Sequence, residues 1–349
     1  MGSAIGMPSD VTTISSKPGG TTAPARPQRE AGIEWLRVLA CVAIVAFHAS
    51  PREWPAMIFG LEVFTIFTIA LNIQSAGRRG TGAFLRARVQ TLLVPWLFWW
   101  FAYAAWKSLL ARRGGQELFS WFEPWRLLAG PDTHLWFLPF AFIATALAGL
   151  WFASHPPAGD TRDARRSTLV WGIASAALLL LASYAMQVQL KIQEADGRVY
   201  QPWRQWVTVL PAAVIGLAIV RSRVGEVYDT VALGMLWSLI ICAAGASHVL
   251  GWTNLSIPYA LAISLCVIGL RLRRAASAGL LAASTLTFVV FLLHPMLFDV
   301  WYFVTAKIKP GPALAIGTHG HAAAMTIFTV LFSAGAVWLL RKTPLRQVL

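Results

Sequence analysis

Long apolar stretches recur along the whole chain and constrain its fold more than any other feature. A helix that crosses the roughly 30 Å hydrocarbon core of a bilayer needs about 20 mostly apolar residues. The composition agrees, because 57% of the 349 residues are hydrophobic and 13% are charged, whereas soluble domains carry about 25% charge. The chain is therefore predicted to be an all-α, polytopic transmembrane helix bundle with about ten spans. The spans cover about 33–50, 56–74, 89–111, 135–153, 168–189, 206–220, 229–250, 256–270, 278–306 and 316–340.

The positions of the cations predict how this bundle is oriented. With the amino terminus inside, the cytoplasmic segments carry eighteen Lys and Arg residues and the outer loops carry nine. Cytoplasmic loops are enriched in these residues, so both termini are predicted to be cytoplasmic. The stretches 206–220 and 256–270 are short for a full crossing, so each is either a tilted span or a re-entrant segment.

The polar amino terminus and the apolar remainder predict two regions. Residues 1–30 are rich in Ser, Thr, Gly and Pro and are predicted to form a disordered cytoplasmic tail, followed by one transmembrane domain over 31–349. The net charge of +14 does not indicate a nucleic-acid partner, because the cations lie in short clusters between apolar stretches. The three cysteines lie inside apolar stretches and have no metal-ligand spacing, so no metal is predicted.

Arg37 and His48 are the most informative polar pair in the first span. They are eleven residues apart, which returns a helix to within about 20° of the same face and separates them by about 16 Å. Ionisable groups inside a membrane are costly unless they serve a pathway or a site. The competing interpretation is structural: Arg37 forms an interfacial ion pair with Glu34, and His48 is an interfacial histidine.

Glu62 lies in the second span at a depth close to that of His48. A carboxylate in lipid needs a partner or a polar cavity. Glu62 is therefore either a structural acid, bonded to a neighbouring helix, or the group that orients His48.

Further candidates lie at three other places. Arg86 and Arg88 precede the third span, where they either follow the ordinary positive-inside pattern or bind the phosphates of a cytosolic cofactor. His134 and Trp136 begin the fourth span at the predicted outer face, as an interfacial pair or as part of a substrate path. His294 lies mid-span before a proline, where a packing hydrogen bond competes with a catalytic role.

In order and spacing, these motifs resemble the acyltransferase-3 family of membrane acyltransferases. The resemblance covers nearly the whole chain from about residue 31. Two positions depart from the family pattern: Thr68-Ile69 replaces a Ser-Gly pair, and Thr91 stands where a second arginine is common. The matching motifs are Arg37-x10-His48, Phe59-Gly-Leu-Glu62-Val-Phe64, Arg86-Ala-Arg88 with Pro95, His134-Leu-Trp136 and Phe291-Leu-Leu-His294-Pro295.

The resemblance implies a membrane O-acyltransferase that moves an acyl group, expected to be acetyl, from cytosolic acyl-CoA to a hydroxyl of a glycan, a lipid-linked saccharide or another acceptor. Acetyl-CoA would be a donor substrate and not a permanently bound cofactor. The implied location is the cell membrane, with the bacterial inner membrane expected.

The resemblance also implies residue roles. His48 would be the general base, with Glu62 orienting it and Arg37 either polarising the thioester or binding coenzyme A. Arg86 and Arg88 would bind the cofactor, and the acceptor or donor path would be lined by His134, Trp136 and His294. The alternative function is a glycolipid or small-molecule transporter or flippase that uses the same groups as an intramembrane proton relay.

Overall fold

The computed structural model describes residues 30–50, 55–76, 80–118, 122–155, 159–196, 202–225, 227–252, 254–308, 318–340 and 342. The tail predicted over 1–30 lies outside these residues except at its last position. There Glu30 forms a β-bridge with Ala275, and the Ala31 N–H donates to the Arg274 carbonyl at 2.7 Å. Residue 30 therefore belongs with the folded domain. Several cations of the orientation argument, among them Arg78 and Arg79, also lie outside the described residues.

The described chain is helical apart from one two-stranded hairpin and short turns. The third helix continues through a π-helical segment, Val89–Leu93, into the fourth. The helices are α1 Ala31–Ala49, α2 Phe59–Ala76, α3 Thr81–Arg88, α4 Val94–Arg113, α5 Arg126–Ala129, α6 Phe137–Ser154, α7 Thr161–Asp196, α8 Trp203–Arg221, α9 Thr230–Val249, α10 Ser256–Arg271, α11 Ala278–Ile308 and α12 His319–Leu340. Turns of 3-10 helix cover Pro55–Ile58 and Thr133–Trp136, and the antiparallel strands are β1 Arg223–Val224 and β2 Val227–Tyr228.

The predicted transmembrane helix bundle is confirmed. Seven of the described helices are long and apolar enough to cross a membrane, and two shorter apolar helices cover Phe59–Gln74 and Ser256–Arg271. The sixth predicted span is longer than expected, because α8 begins at Trp203 and has 19 residues. The polar residues Arg204 and Gln205 hid its first turn from the apolar pattern. The exact number of crossings and the side of each terminus stay predictions.

Helix α1 packs against α2, α10, α11 and α12. Two glycines make the close approach possible. A Cβ at Gly60 would lie 2.5 Å from the Ala40 carbonyl oxygen, and one at Gly32 would lie 2.0 Å from the Gly269 oxygen. Small residues at helix contacts let backbones approach in membranes, where apolar burial does not drive association. These contacts hold the helix that carries Arg37 and His48 against its neighbours.

Tyrosine hydroxyls bridge two helices at their internal prolines. In α8, which contains Pro211, the Tyr259 hydroxyl donates to the Thr208 carbonyl at 2.6 Å and accepts from the Ala212 N–H at 3.2 Å. The hydroxyl thus lies between two groups that an unbroken helix would pair directly. Neighbouring side chains commonly satisfy backbone groups that a proline frees inside the membrane. Such a bridge fixes the local shape of α8 against α10.

Candidate active site

A cavity of about 400 Å³, the arginine cavity, lies toward the end of the bundle where α1 begins and α2 ends. Its lining includes Arg37, Asn72, Arg88 and Thr91, and its other walls are mainly apolar. Small-molecule sites have typical volumes of about 300–1,000 Å³ and a few polar groups on apolar walls. The arginine cavity has both properties.

The guanidinium groups of this cavity are held by neighbouring polar side chains. Arg37 Nη1 donates to Glu34 Oε2 at 3.1 Å. Arg88 Nη1 donates to Asn72 Oδ1 of α2, and its guanidinium lies 5.5 Å from the centre of the Phe84 ring. Arg37 therefore fits both interpretations of the sequence. It forms the expected ion pair with Glu34, and it also lines a cavity where it could contact a ligand.

Arg86 occupies a different environment from Arg88, although both were predicted to bind the cofactor. Arg86 is exposed and does not line the arginine cavity. The two positions are separated by about 200° around a helix, so they face opposite directions. The structure thus brings Arg88 together with Arg37 and leaves Arg86 on another face of α3.

The π-helical segment that follows Arg88 shapes this cavity. Gln90, Thr91 and Leu92 all lie in the segment, and all three line the cavity. A π-bulge adds a residue to a helical turn and changes which side chains face a site, which is why such segments are frequent at functional sites. Apolar periodicity does not reveal the segment, so the sequence predicted a regular helix here.

A second cavity, of about 270 Å³, lies toward the end of the bundle where α1 ends and α2 begins. We refer to it as the histidine cavity, because its lining includes His48 and His134 together with Trp136 and Arg204. His48 is exposed to this space, whereas His134 is 4% exposed. His134 and Trp136, predicted as substrate contacts, therefore lie on one cavity wall with the predicted general base.

Three histidine rings from three parts of the chain meet behind this cavity. The ring centroid of His294 lies 5.1 Å from that of His48 and 5.2 Å from that of His134. His294 is 0% exposed and does not line the cavity, so it supports the other two rings from inside the bundle. Helix α11 thereby connects the predicted base on α1 with the predicted substrate contact before α6.

The proline next to His294 determines how that ring is held. Pro295 has no N–H, so the Phe291 carbonyl four residues before it has no helical donor. The His294 Nδ1 atom lies 2.7 Å from this carbonyl oxygen. Since a carbonyl only accepts, Nδ1 carries a proton, and in the neutral ring Nε2 presents its lone pair. Within the described part of the chain, Nε2 is buried without a hydrogen-bond partner.

Tyr103 of α4 bridges the next break in α11. Its hydroxyl donates to the Leu292 carbonyl at 2.8 Å and accepts from the Met296 N–H at 3.3 Å. The Leu292 carbonyl also lies 3.2 Å from His134 Nε2. The distortion of α11 at its proline thus supplies backbone acceptors to His294, His134 and Tyr103 within one turn.

Asp132 connects His134 to a charged network beyond the cavity. Its Oδ1 lies 3.2 Å from His134 Nδ1, and its Oδ2 lies 2.9 Å from Lys107 Nζ. Lys107 also lies 3.7 Å from Asp299, which accepts a hydrogen bond from the Trp106 indole at 2.8 Å. Burial by itself would raise the pKa of Asp132, but the His134 hydrogen bond and the Lys107 ammonium together hold that pKa below its ordinary value.

Glu62 lies apart from these groups. It is 1% exposed, and its Oε2 has no hydrogen-bond partner among the described residues. Glu62 interacts electrostatically with Tyr259 on α10, whereas the carboxylate beside His134 is that of Asp132, 3.2 Å away. No hydrogen bond or ion pair joins Glu62 to His48 in the described structure, so the orienting role that the sequence suggested for Glu62 stays a prediction. Glu62 and His48 were paired because they lie at similar depth on neighbouring helices, but similar depth does not require that two side chains face each other.

Several residues of the site were not predicted from the sequence. Two of them could have been found in the sequence. Lys107 is a cation inside the third predicted span, and Asp132 lies two residues before the candidate His134. Tyr103 and Asn72 carry no such signal, because their importance depends on which helix they meet. Among the described residues, no three His, Cys, Asp or Glu side chains are arranged to hold a metal ion.

A comparison with known protein families agrees with the motifs. The acyltransferase-3 family model, described as an acyltransferase domain, matches residues 30–338. This match includes both cavities and every site residue described above. No curated protein and no solved structure matches the chain.

Proposed function

Because this chain belongs to the acyltransferase-3 family of membrane acyltransferases, we propose that it transfers acetyl from cytosolic acetyl-CoA to a hydroxyl of a glycan, a lipid-linked saccharide or another acceptor across the membrane. The proposed location is the bacterial inner membrane, with the arginine cavity facing the cytoplasm. One observation carries the proposal: a single bundle holds a cavity with two guanidinium groups and a second cavity bordered by His48 and His134. Arg37 and His48 lie about 16 Å apart along α1.

The arginine cavity has the chemistry of a donor site. Guanidinium groups form bidentate hydrogen bonds with phosphates, so Arg37 and Arg88 would bind phosphates of coenzyme A. The apolar walls would take the uncharged arm that ends in the thioester. Since Arg37 faces this cavity and pairs with Glu34, it is proposed to hold the donor. Arg86, outside the lining, would attract the anionic donor only at a distance.

His48 is the proposed general base. An imidazole nitrogen exposed to the histidine cavity would accept the proton of the acceptor hydroxyl while the hydroxyl oxygen attacks the thioester carbonyl carbon. The new carbon–oxygen bond forms, the carbon–sulfur bond breaks, and the imidazolium returns its proton to the departing thiolate. The products are an ester and free coenzyme A, with all atoms and charges accounted for.

The neighbouring rings supply the orientation that the sequence assigned to Glu62. His294 presents the lone pair of Nε2, and its ring lies 5.1 Å from His48. In the working geometry this lone pair would accept the N–H of His48, which leaves the other nitrogen of His48 for the acceptor. Catalytic hydrogen bonds are often long before substrate binds. Asp132 would fix His134 in the same way, as the third group does in a triad.

The remaining polar groups of the histidine cavity would bind the acceptor. Trp136 offers an aromatic face, and Arg204 offers hydrogen-bond donors. His134 would contribute a further edge beside the acceptor hydroxyl. A polyhydroxylated acceptor suits a wall of this kind, because aromatic surface and a few polar groups together orient a ligand.

The test is an acyl-transfer assay on the purified protein in lipid vesicles. Acetyl-CoA labelled in the acetyl group is added with candidate hydroxyl acceptors, and both free coenzyme A and labelled product are measured. We expect acceptor-dependent release of coenzyme A in equal amount to product. Acceptor movement that depends on a proton gradient, without release of coenzyme A, would contradict the proposal and favour the transporter.

A further inference from the structure

The two cavities share one wall. Phe137, the first residue of α6, is 2% exposed and lines both the arginine cavity and the histidine cavity. Among the described residues it is the only side chain common to the two linings. This ring therefore forms part of the wall between the two spaces.

Three phenylalanine rings close this wall. The ring centroid of Phe137 lies 5.3 Å from that of Phe64 and 5.6 Å from that of Phe291, and Phe64 and Phe291 stack at 5.6 Å. Phe64 lines the arginine cavity, and Phe291 lines the histidine cavity. All three contacts lie in the favourable range for aromatic pairs. These rings, Phe64, Phe137 and Phe291, form a layer that we call the phenylalanine partition.

The partition lies directly beside the proposed chemistry. The Phe291 ring centroid is 5.6 Å from that of His134 and 6.0 Å from that of His294. Anything that passes from the arginine cavity between these rings arrives next to the histidines. Reacting atoms must come within about 3–3.5 Å of one another, so a donor held by Arg37 and Arg88 must extend its acyl end into the partition.

From this placement we infer that Phe64, Phe137 and Phe291 determine the length of the acyl group that the protein transfers. This inference rests on the proposed acyl transfer. A phenylalanine ring turns about its side-chain bonds without movement of the backbone, and the opening left by one ring admits a short acyl chain. A longer chain would have to displace two or three rings from a close-packed core, which costs free energy.

The experiment compares acyl donors of increasing length on matched variants. The kcat/KM of acetyl-, butyryl-, hexanoyl- and octanoyl-CoA is measured with the full chain in lipid vesicles. In Phe137→Leu and Phe64→Leu we expect the hexanoyl-to-acetyl ratio to rise at least about tenfold, the effect of roughly 1.4 kcal/mol. In Phe137→Trp we expect the butyryl-to-acetyl ratio to fall. Binding of free coenzyme A, measured separately, should change less than the donor ratios, because Arg37 and Arg88, which would bind its phosphates, are untouched.

Phe152→Leu is the matched control. Phe152 lies on the same helix as Phe137, is 7% exposed and lines neither cavity, so its replacement should leave the donor ratios unchanged. If Phe137→Leu does not fold, the half-buried Phe64 provides the decisive variant. Folded variants that transfer acetyl with unaltered donor ratios would overturn the inference. A wild-type protein that transfers no acyl group from any donor would overturn the proposed function instead, and the inference with it.

Discussion

The arginine cavity and the histidine cavity are both lined by α1, α2, α6 and α11, but they hold their polar groups in different ways. Arg37 and Arg88 reach from near the helix ends on long side chains and pair with Glu34 and Asn72. Such side chains can keep a charge near the interface. His134 and His294 instead have short side chains whose ring nitrogens lie within hydrogen-bond distance of backbone carbonyls of α11. The bundle therefore separates charge recognition on long side chains from a histidine cluster that backbone carbonyls and the Asp132 carboxylate hold in place.

Replacement of His48 should cause the largest loss of acyl-transfer activity. In His48→Ala the proposed base is absent, and loss of a positioned base typically lowers the rate about 10²- to 10⁴-fold. The measurement is kcat for acyl transfer in vesicles, at equal amounts of folded protein. His248→Ala is a suitable control, because His248 is an exposed residue in the last turn of α9. Activity of His48→Ala at the wild-type level would contradict the base assignment.

Replacing Asp132 should weaken the same cavity without removing the base. Hydrogen bonds to charged groups contribute about 1.5–3 kcal/mol, so Asp132→Asn should lower kcat about 10- to 100-fold with little change in the KM for the donor. The readout that separates positioning from simple instability is this split between kcat and KM. If Asp132→Asn instead lowers the thermal stability and raises the KM for the donor, the role of Asp132 is structural only.

The effect of Asp132→Asn on kcat should not change with pH near neutrality. The pKa of Asp132 is lowered in the folded protein, so the ionised carboxylate stabilises the fold fully above the unfolded pKa of about 4. This stabilisation is lost as the pH falls through the lower folded pKa. Between pH 5 and 8 the wild-type carboxylate stays ionised. The loss caused by Asp132→Asn should therefore be constant over that range, measured as the ratio of kcat values.

Replacement of Arg88 in the arginine cavity should change the KM for the donor and not kcat. Arg88→Ala should raise the KM for acetyl-CoA about 10- to 100-fold with kcat nearly unchanged, since the lost hydrogen bonds to phosphate exist before and during the reaction. Arg86→Ala should raise it less than about threefold, because Arg86 lies outside the cavity and an exposed charge is screened by salt. Equal increases in KM for Arg88→Ala and Arg86→Ala would contradict the assignment of donor binding to the arginine that lines the cavity.

The smallest effect is expected at Glu62. Glu62→Gln keeps the shape of the buried side chain, and no hydrogen bond or ion pair joins Glu62 to His48 in the described structure. We expect less than about a threefold change in kcat and no displacement of the pH–rate profile. A loss comparable to that of His48→Ala would return Glu62 to the reaction and show that the helices rearrange when substrate binds.

Much of the bundle was predictable from the sequence because lipid imposes one solution on a long apolar stretch. Backbone groups in the hydrocarbon core must pair within their own helix, so apolar stretches such as 278–306 became helices. The start of α8 was not visible, because Arg204 and Gln205 interrupt the apolar pattern. The π-helical segment was not visible either, since it changes hydrogen bonding without changing composition.

Parts of the site were predictable for similar reasons. Arg37, His48 and His294 attract attention individually, because each is polar where polarity is costly. Their grouping was not predictable. His294 meets His48 and His134 only because α1 and α11 pack together and because Pro295 exposes the carbonyl that fixes its ring. The same uncertainty led the sequence-based interpretation to pair His48 with Glu62.

By itself, the sequence determined the helical membrane fold, the helix face shared by Arg37 and His48, and the family. These properties follow from local periodicity, from the cost of polar groups in lipid and from motif order, none of which needs a partner helix. Only the tertiary structure decided that the two residues serve separate cavities, that Asp132 and not Glu62 connects to the histidines, and that three phenylalanine rings divide the spaces. Those facts depend on the rotation and depth of each helix against its neighbours, which side-chain packing sets across long sequence separations.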